Sequence, residues 1–232
     1  MISPLFSTFL PSTISVGMAF LPPIAAVRAR RSVLRDPAGQ VALCWLVMAL
    51  AGFAQFVGLL LKPGTAIPVS FLVTALFPLL LLPPTLTWIG GSAKRAQWAI
   101  LAVWAVVWVA AIVTLRDLRP FNLVVDPVMS SGLAVASALA LAAQVRRAPA
   151  RLLQADWFWI LVAHVVYFVT MMLRMPIIET LVAHHWAASL EVHNGIMLLY
   201  SVMYVMIARG MLLRVSDERG RAGFPASLTQ IA

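Results

Sequence analysis

Ionisable side chains set within long apolar stretches are where this chain can do chemistry, because each costs about 2.5 to 3.5 kcal/mol to hold at membrane depth. Each one therefore needs a partner or a purpose. Asp126 stands just inside one apolar run, Arg174 closes the next, and Glu191, His193 and Asn194 occupy the start of the last. His164 and Tyr167 lie within the run that Arg174 closes. Together Asp126, His164, Tyr167, Arg174, Glu191, His193 and Asn194 compose a candidate polar pocket able to hold a small or lipid-like ligand. The competing reading is self-neutralisation: Arg174 pairs with Glu191 or Asp126, and the histidines hydrogen-bond to backbone or hydroxyl groups.

Helical spacing sorts these groups. His164, Tyr167, Met171 and Arg174 recur at intervals of three and four, which draws one polar stripe along a helix. In the last apolar run Glu191, Asn194 and Ser201 share one face, and His193, Met197, Tyr200 and Tyr204 share a nearly opposite one. Glu191 and His193, two residues apart, diverge by about 200° on a regular helix and cannot address one ligand together.

Four histidines raise the question of haem or metal. His164 and His193 fall on consecutive antiparallel runs, and a facing imidazole pair can hold haem iron axially. Counted from the run ends, their depths differ by roughly 6 Å, a poor match for one iron. Glu179, His184 and His185 offer nitrogen and oxygen donors for zinc, without the His-x-x-x-His or His-Glu-x-x-His spacing that organises such sites. A retinal Schiff base needs a lysine in the last helix, and the two lysines are Lys62 and Lys94. An intramembrane serine protease would need a Gly-x-Ser-x-Gly-like serine, which is absent. Cys44 has no second cysteine to pair with and reads as a small buried residue.

The elements that must position these residues follow from composition. Of 232 residues 62% are hydrophobic and 11% charged, against roughly a quarter charged in soluble domains. Spanning a bilayer core of about 30 Å takes roughly 20 apolar residues in a helix. Seven such runs are expected: Leu5 to Val27, Val41 to Leu61, Ala66 to Ile89, Gln97 to Leu115, Phe121 to Gln144, Trp157 to Met175 and Trp186 to Ala208. The fold class is thus an all-α integral membrane bundle of about seven transmembrane helices, residues 1–208, followed by a short basic tail, 209–232.

Orientation follows from Lys and Arg, which cytoplasmic loops retain. The alternate loops after the first, third and fifth runs, with the tail, carry thirteen of the seventeen basic residues. The exceptions are Lys62, Arg116, Arg119 and Arg174. The amino terminus is expected outside and the carboxyl terminus in the cytoplasm, which turns the pocket outward. The net charge of +9 is explained by this topology, so nucleic acid is not expected as a partner. Trp45, Trp88, Trp98, Trp157 and Trp159 fall near cytoplasmic run ends and Trp186 near an outer one, as headgroup-level indoles would. Trp104 and Trp108 sit mid-run on one face. Ser130, Ser131, Gly132, Ala134, Ala136, Ser137, Ala138 and Ala140 give the fifth run a small-residue surface suited to close helix approach.

Three function classes stay open. A sensor, binding or accessory module would use the outer pocket, with its tail on a cytoplasmic or membrane protein partner or on anionic lipid of the bilayer. A transporter or channel should carry polar groups through the midplane and beyond, and the inner half is apolar. A lipid-modifying or haem- or metal-binding enzyme would rest on a His and acid pair. Rich Ala, Arg, Val and Leu with scarce Lys fit a bacterial inner membrane.

Overall fold

A computed structural model describes residues 4–33, 36–61, 77, 80–89, 102, 103, 106, 110, 126–147, 152–184 and 186–222. Among the described residues all regular structure is helical. We number the helices α1 (Pro4–Met18), α2 (Leu21–Arg28), α3 (Pro37–Leu61), α4 (Leu80–Ile89), α5 (Asp126–Arg147), α6 (Asp156–His184) and α7 (Trp186–Ala222), with a 3-10 turn at Leu152–Gln154. Among the described residues five spans are long and apolar enough to cross a membrane: Leu10–Arg28, Pro37–Gly58, Pro127–Arg147, Asp156–Ile178 and Ala188–Leu213. They match the first, second, fifth, sixth and seventh expected runs. Of the third run, α4 is the described part. The fourth run, including Trp104 and Trp108, lies outside the described residues apart from isolated positions.

The first run is one span built from two helices. Pro22 and Pro23 bring no backbone N–H, so the carbonyls of Met18 and Ala19 lose the donors that a continuous helix would supply. The chain turns at Ala19 and Phe20, and the prolines fall in the first turn of α2, where a missing donor costs nothing. The C-terminus of α2 closes with Arg31 N donating to Ala26 O at 3.0 Å and Arg30 N to Val27 O at 3.0 Å. Those two bonds form a Schellman cap, whose left-handed residue is Arg30 at φ 52° in place of the usual glycine. The reversal turns Arg31 back toward the bundle.

Asp36 then starts α3. Its Oδ1 accepts the Ala38 N–H at 3.1 Å, with Pro37 at the first helical position. Gly39 keeps that first turn against the loop, since a Cβ there would stand 2.4 Å from Ser32 O. The last carbonyls of α4 are capped from α5, by Gln144 Nε2 to Trp88 O at 2.5 Å and Arg147 to Ile89 O at 2.7 Å.

α6 packs against α5 on one side and α7 on the other, and α7 also packs on α1 and α2. The face that α5 buries carries Ser130, Leu133, Ser137 and Ala140, so part of the small-residue surface lies in the protein interior. α6 and α7 come close together at Gly210, where a Cβ would meet Asp156 O and Ile160 Cγ1, both at 2.8 Å. Outward positions stay apolar, including Leu43, Val47, Leu50 and Phe53 on α3 and Val202, Val205 and Leu212 on α7. Helices apolar on every side suit a lipid surround. α7 continues past the expected boundary at Ala208 to Ala222, while its apolar span ends at Leu213, because backbone helicity does not stop where hydropathy does.

Candidate functional site

The centre of the bundle is an aromatic layer around Trp45 of α3, which is fully buried. Its ring centroid lies 4.9 Å from Phe77, 5.1 Å from Tyr167 and 5.3 Å from Tyr204, each in an edge-on geometry. Tyr167 in turn packs on Tyr200 at 4.8 Å. Such pairs contribute about 0.5 to 1.5 kcal/mol each beyond area burial. The Trp45 indole N–H donates to His164 Nε2 at 3.2 Å. An imidazole nitrogen that accepts must hold a lone pair, so the ring is neutral with its proton on Nδ1. That Nδ1 is buried and meets no acceptor among the described residues. Trp45 therefore does not act as a headgroup indole: its donor is satisfied inside the protein, which removes the reason to reach interfacial water.

Further along α6, about 27 Å from Asp156, Arg174 forms a second polar level between α1, α6 and α7. The inward stripe of α6 delivers it. Arg174 is close enough to act electrostatically on both His193 and Tyr204 of α7. α1 supplies Ser12, whose Oγ lies 3.4 Å from His193 Nε2, and buried Ser15, hydrogen-bonded to Tyr204. Between the two levels Tyr200 donates its hydroxyl to Met171 Sδ at 2.8 Å. Arg174 Nε is buried and meets no acceptor, and Asn194 Oδ1 is buried and meets no donor, among the described residues.

The candidate residues thus separate. His164 and Tyr167 belong to the aromatic layer; Arg174 and His193 meet at the second level, with Asn194 beside His193 in the chain. Glu191 is exposed, and no ion pair joins it to Arg174 among the described residues. Asp126 opens α5, while Glu179 and His184 lie on α6; their side chains, and all of His185, fall outside the described residues. His164 turns its Nε2 to Trp45 and His193 turns its own to Ser12, so the two imidazoles address different neighbours. Among the described residues no group of three His, Cys, Asp or Glu side chains is placed to hold a metal ion.

Comparison with known proteins finds no matching family model, no similar curated protein and no similar solved structure. The geometry alone carries the functional argument.

Sequence reasoning missed three sets of participants. Ser12 and Ser15, three apart on α1, were hidden inside an apolar run, although their spacing with Ala19 marks one face. Trp45 as the partner of His164 is a contact 119 positions apart in sequence and left no local signal. The third is Arg31, at the opposite end from Arg174. Its side chain is 2% exposed and donates to Asp36 Oδ2 at 3.0 Å, Asp156 Oδ2 at 2.8 Å, Met211 O at 3.1 Å and Gly210 O at 3.2 Å. One guanidinium fastens the α2–α3 loop to α6 and α7. Beside it the Arg209 guanidinium lies over the Trp159 ring at 4.2 Å.

Proposed function

We propose that this chain is a membrane-embedded binding or sensing module whose ligand site is the Arg174 level between α1, α6 and α7. The observation that carries the reading is a guanidinium inside an apolar span with a buried Nε that meets no acceptor among the described residues. Charge at that depth is retained for a purpose more often than not. His193 and Tyr204, within electrostatic reach of Arg174, with their partners Ser12 and Ser15 on α1, bring neutral hydrogen-bonding groups to this level, the mixture that fixes a ligand's orientation.

The basic-residue pattern supports seven spans with the amino terminus outside, the Arg174 level toward the outer face and the Arg31 level toward the cytoplasm. On that topology the basic segment after Gly210 is the part available to a cytoplasmic partner or to anionic lipid, and a bacterial inner membrane is the compartment the composition favours. The Trp45 layer favours a module over a transporter, because a transported solute would have to pass a level filled by Trp45, Phe77, Tyr167 and Tyr204.

The test is thermal unfolding of the purified protein in neutral detergent against a panel of amphiphiles and small solutes. At least one compound should raise the transition saturably, and Arg174→Gln should remove that response. A panel with no saturating member, or a response indifferent to Arg174, overturns the reading.

A further inference from the structure

We infer that the Arg174 level is an oxyanion site, built for the carboxylate or phosphate of its ligand; this rests on the binding-module reading and names the ligand chemistry.

The two inward arginines of this protein make the argument by contrast. Arg31 is well partnered: each of its nitrogens has an acceptor, from two carboxylates and two backbone carbonyls. Arg174 is left open. Both ion pairs among the described residues belong to Arg31, and Arg174 Nε meets no acceptor among those residues. Its neighbours His193, Tyr204, Ser12 and Ser15 bring hydrogen bonds and no negative charge. Glu191, the nearest acidic residue to His193 on α7, is exposed and about 200° around the helix from it.

A guanidinium stays protonated at any physiological pH, so the site cannot neutralise itself by losing a proton. Its planar fork offers two parallel N–H donors to a two-oxygen acceptor, and such charge-assisted bonds are roughly twice as strong as neutral ones. The same chemistry arrives on a soluble carboxylate or phosphate or on the head of a single-chain lipid. Apolar ground for a lipid tail lies next to the site, where Leu10 and Ile14 of α1 and Leu173 and Ile177 of α6 point outward.

The experiment follows thermal unfolding of the full chain in dodecyl maltoside with six probes: acetate, inorganic phosphate, laurate, lauryl phosphate, the neutral monolaurin and the cationic dodecyltrimethylammonium. The anionic probes should raise the transition saturably, and the neutral and cationic ones should not. Laurate and lauryl phosphate acting at micromolar levels, with acetate and phosphate silent, assign a lipid head; acetate or phosphate acting alone assigns a soluble anion. Arg174→Gln should weaken half-saturation about 10- to 100-fold, and Arg174→Lys less, since it keeps charge and loses the fork. Arg209→Gln, which removes the same charge elsewhere, should leave the response intact.

Equal shifts with monolaurin and laurate in the wild type overturn the oxyanion assignment while leaving a binding module, and that comparison stands even where Arg174→Gln fails to fold. No response to any probe removes this inference, and the module reading then depends on the wider panel. An anion response that emerges only in Asp126→Asn identifies that carboxylate as the internal counter-ion and also overturns the proposal.

Discussion

Replacing Arg31 with Ala removes one cation from between Asp36 and Asp156, whose Oδ2 atoms lie 3.0 and 2.8 Å from the same nitrogen. Breaking a buried ion pair by deleting one partner costs about 3 to 5 kcal/mol, because the other charge stays behind without compensation. Two local effects pull the value down. Asp156 is 27% exposed, so water screens part of its loss. Each carboxylate also keeps a backbone donor at a helix start, Ala38 N for Asp36 and Trp157 N for Asp156, and the helix ends offset about 0.3 to 1 kcal/mol apiece. Against these stands the loss of donors to Gly210 O and Met211 O, about 1.5 kcal/mol or more each for a charged donor. The expected destabilisation is about 4 to 6 kcal/mol, read by equilibrium unfolding in mixed micelles of rising SDS fraction. Arg31→Lys should lose about half as much, since one ammonium can reach the carboxylates without also reaching both carbonyls. The double variant Arg31→Ala with Asp36→Asn should recover part of the loss by relieving the uncompensated charge. An Arg31→Ala protein within about 1 kcal/mol of wild type, where surface substitutions usually fall, refutes the idea that this node fastens the bundle.

Two further perturbations probe the aromatic layer and the α2 cap. Trp45→Phe should destabilise by about 3 to 5 kcal/mol, joining a cavity to an orphaned His164 Nε2, whereas adding His164→Phe should make the second step nearly neutral because both polar partners are then gone; SDS titration of the two single variants and the pair checks this. Arg30→Gly should stabilise by about 1 kcal/mol, since φ 52° is strained for a side chain bearing Cβ and natural to glycine; a higher midpoint than wild type is the expected result.

Legibility in the sequence tracked the range of the interaction. The spans could be read because their signal is local: hydropathy places the body of α3 from Val41 onward, and the period of 3.6 places His164, Tyr167 and Arg174 on one inward stripe. The start of α3 at Pro37 was less visible, as its cap belongs to a charged loop that a hydropathy window discards. Arg28, Arg30, Arg31 and Arg35 are indistinguishable as topology signals, and what singles out Arg31 is the left-handed turn at Arg30, which no glycine announces. The candidate pocket was legible as a list of polar residues and illegible as a site. Which of them meet depends on α1 packing on α7, and its contribution, Ser12 and Ser15, carries no charge. Glu191 went the other way: a carboxylate near a membrane end looked like a partner for Arg174, and its position on the exposed edge of α7 follows only once the buried arc around Tyr200 and Tyr204 is known.

The contact at Gly210 has a mechanical meaning. It is the point where α7 touches α6 backbone to side chain with no room for a methyl group, and Arg31 holds the carbonyls of that same turn. The turn at Gly210 and Met211 is gripped from two sides at once, which fixes α7 against α6 in both register and rotation. Even a single methyl group at Gly210 would have to push the two helices apart against that grip.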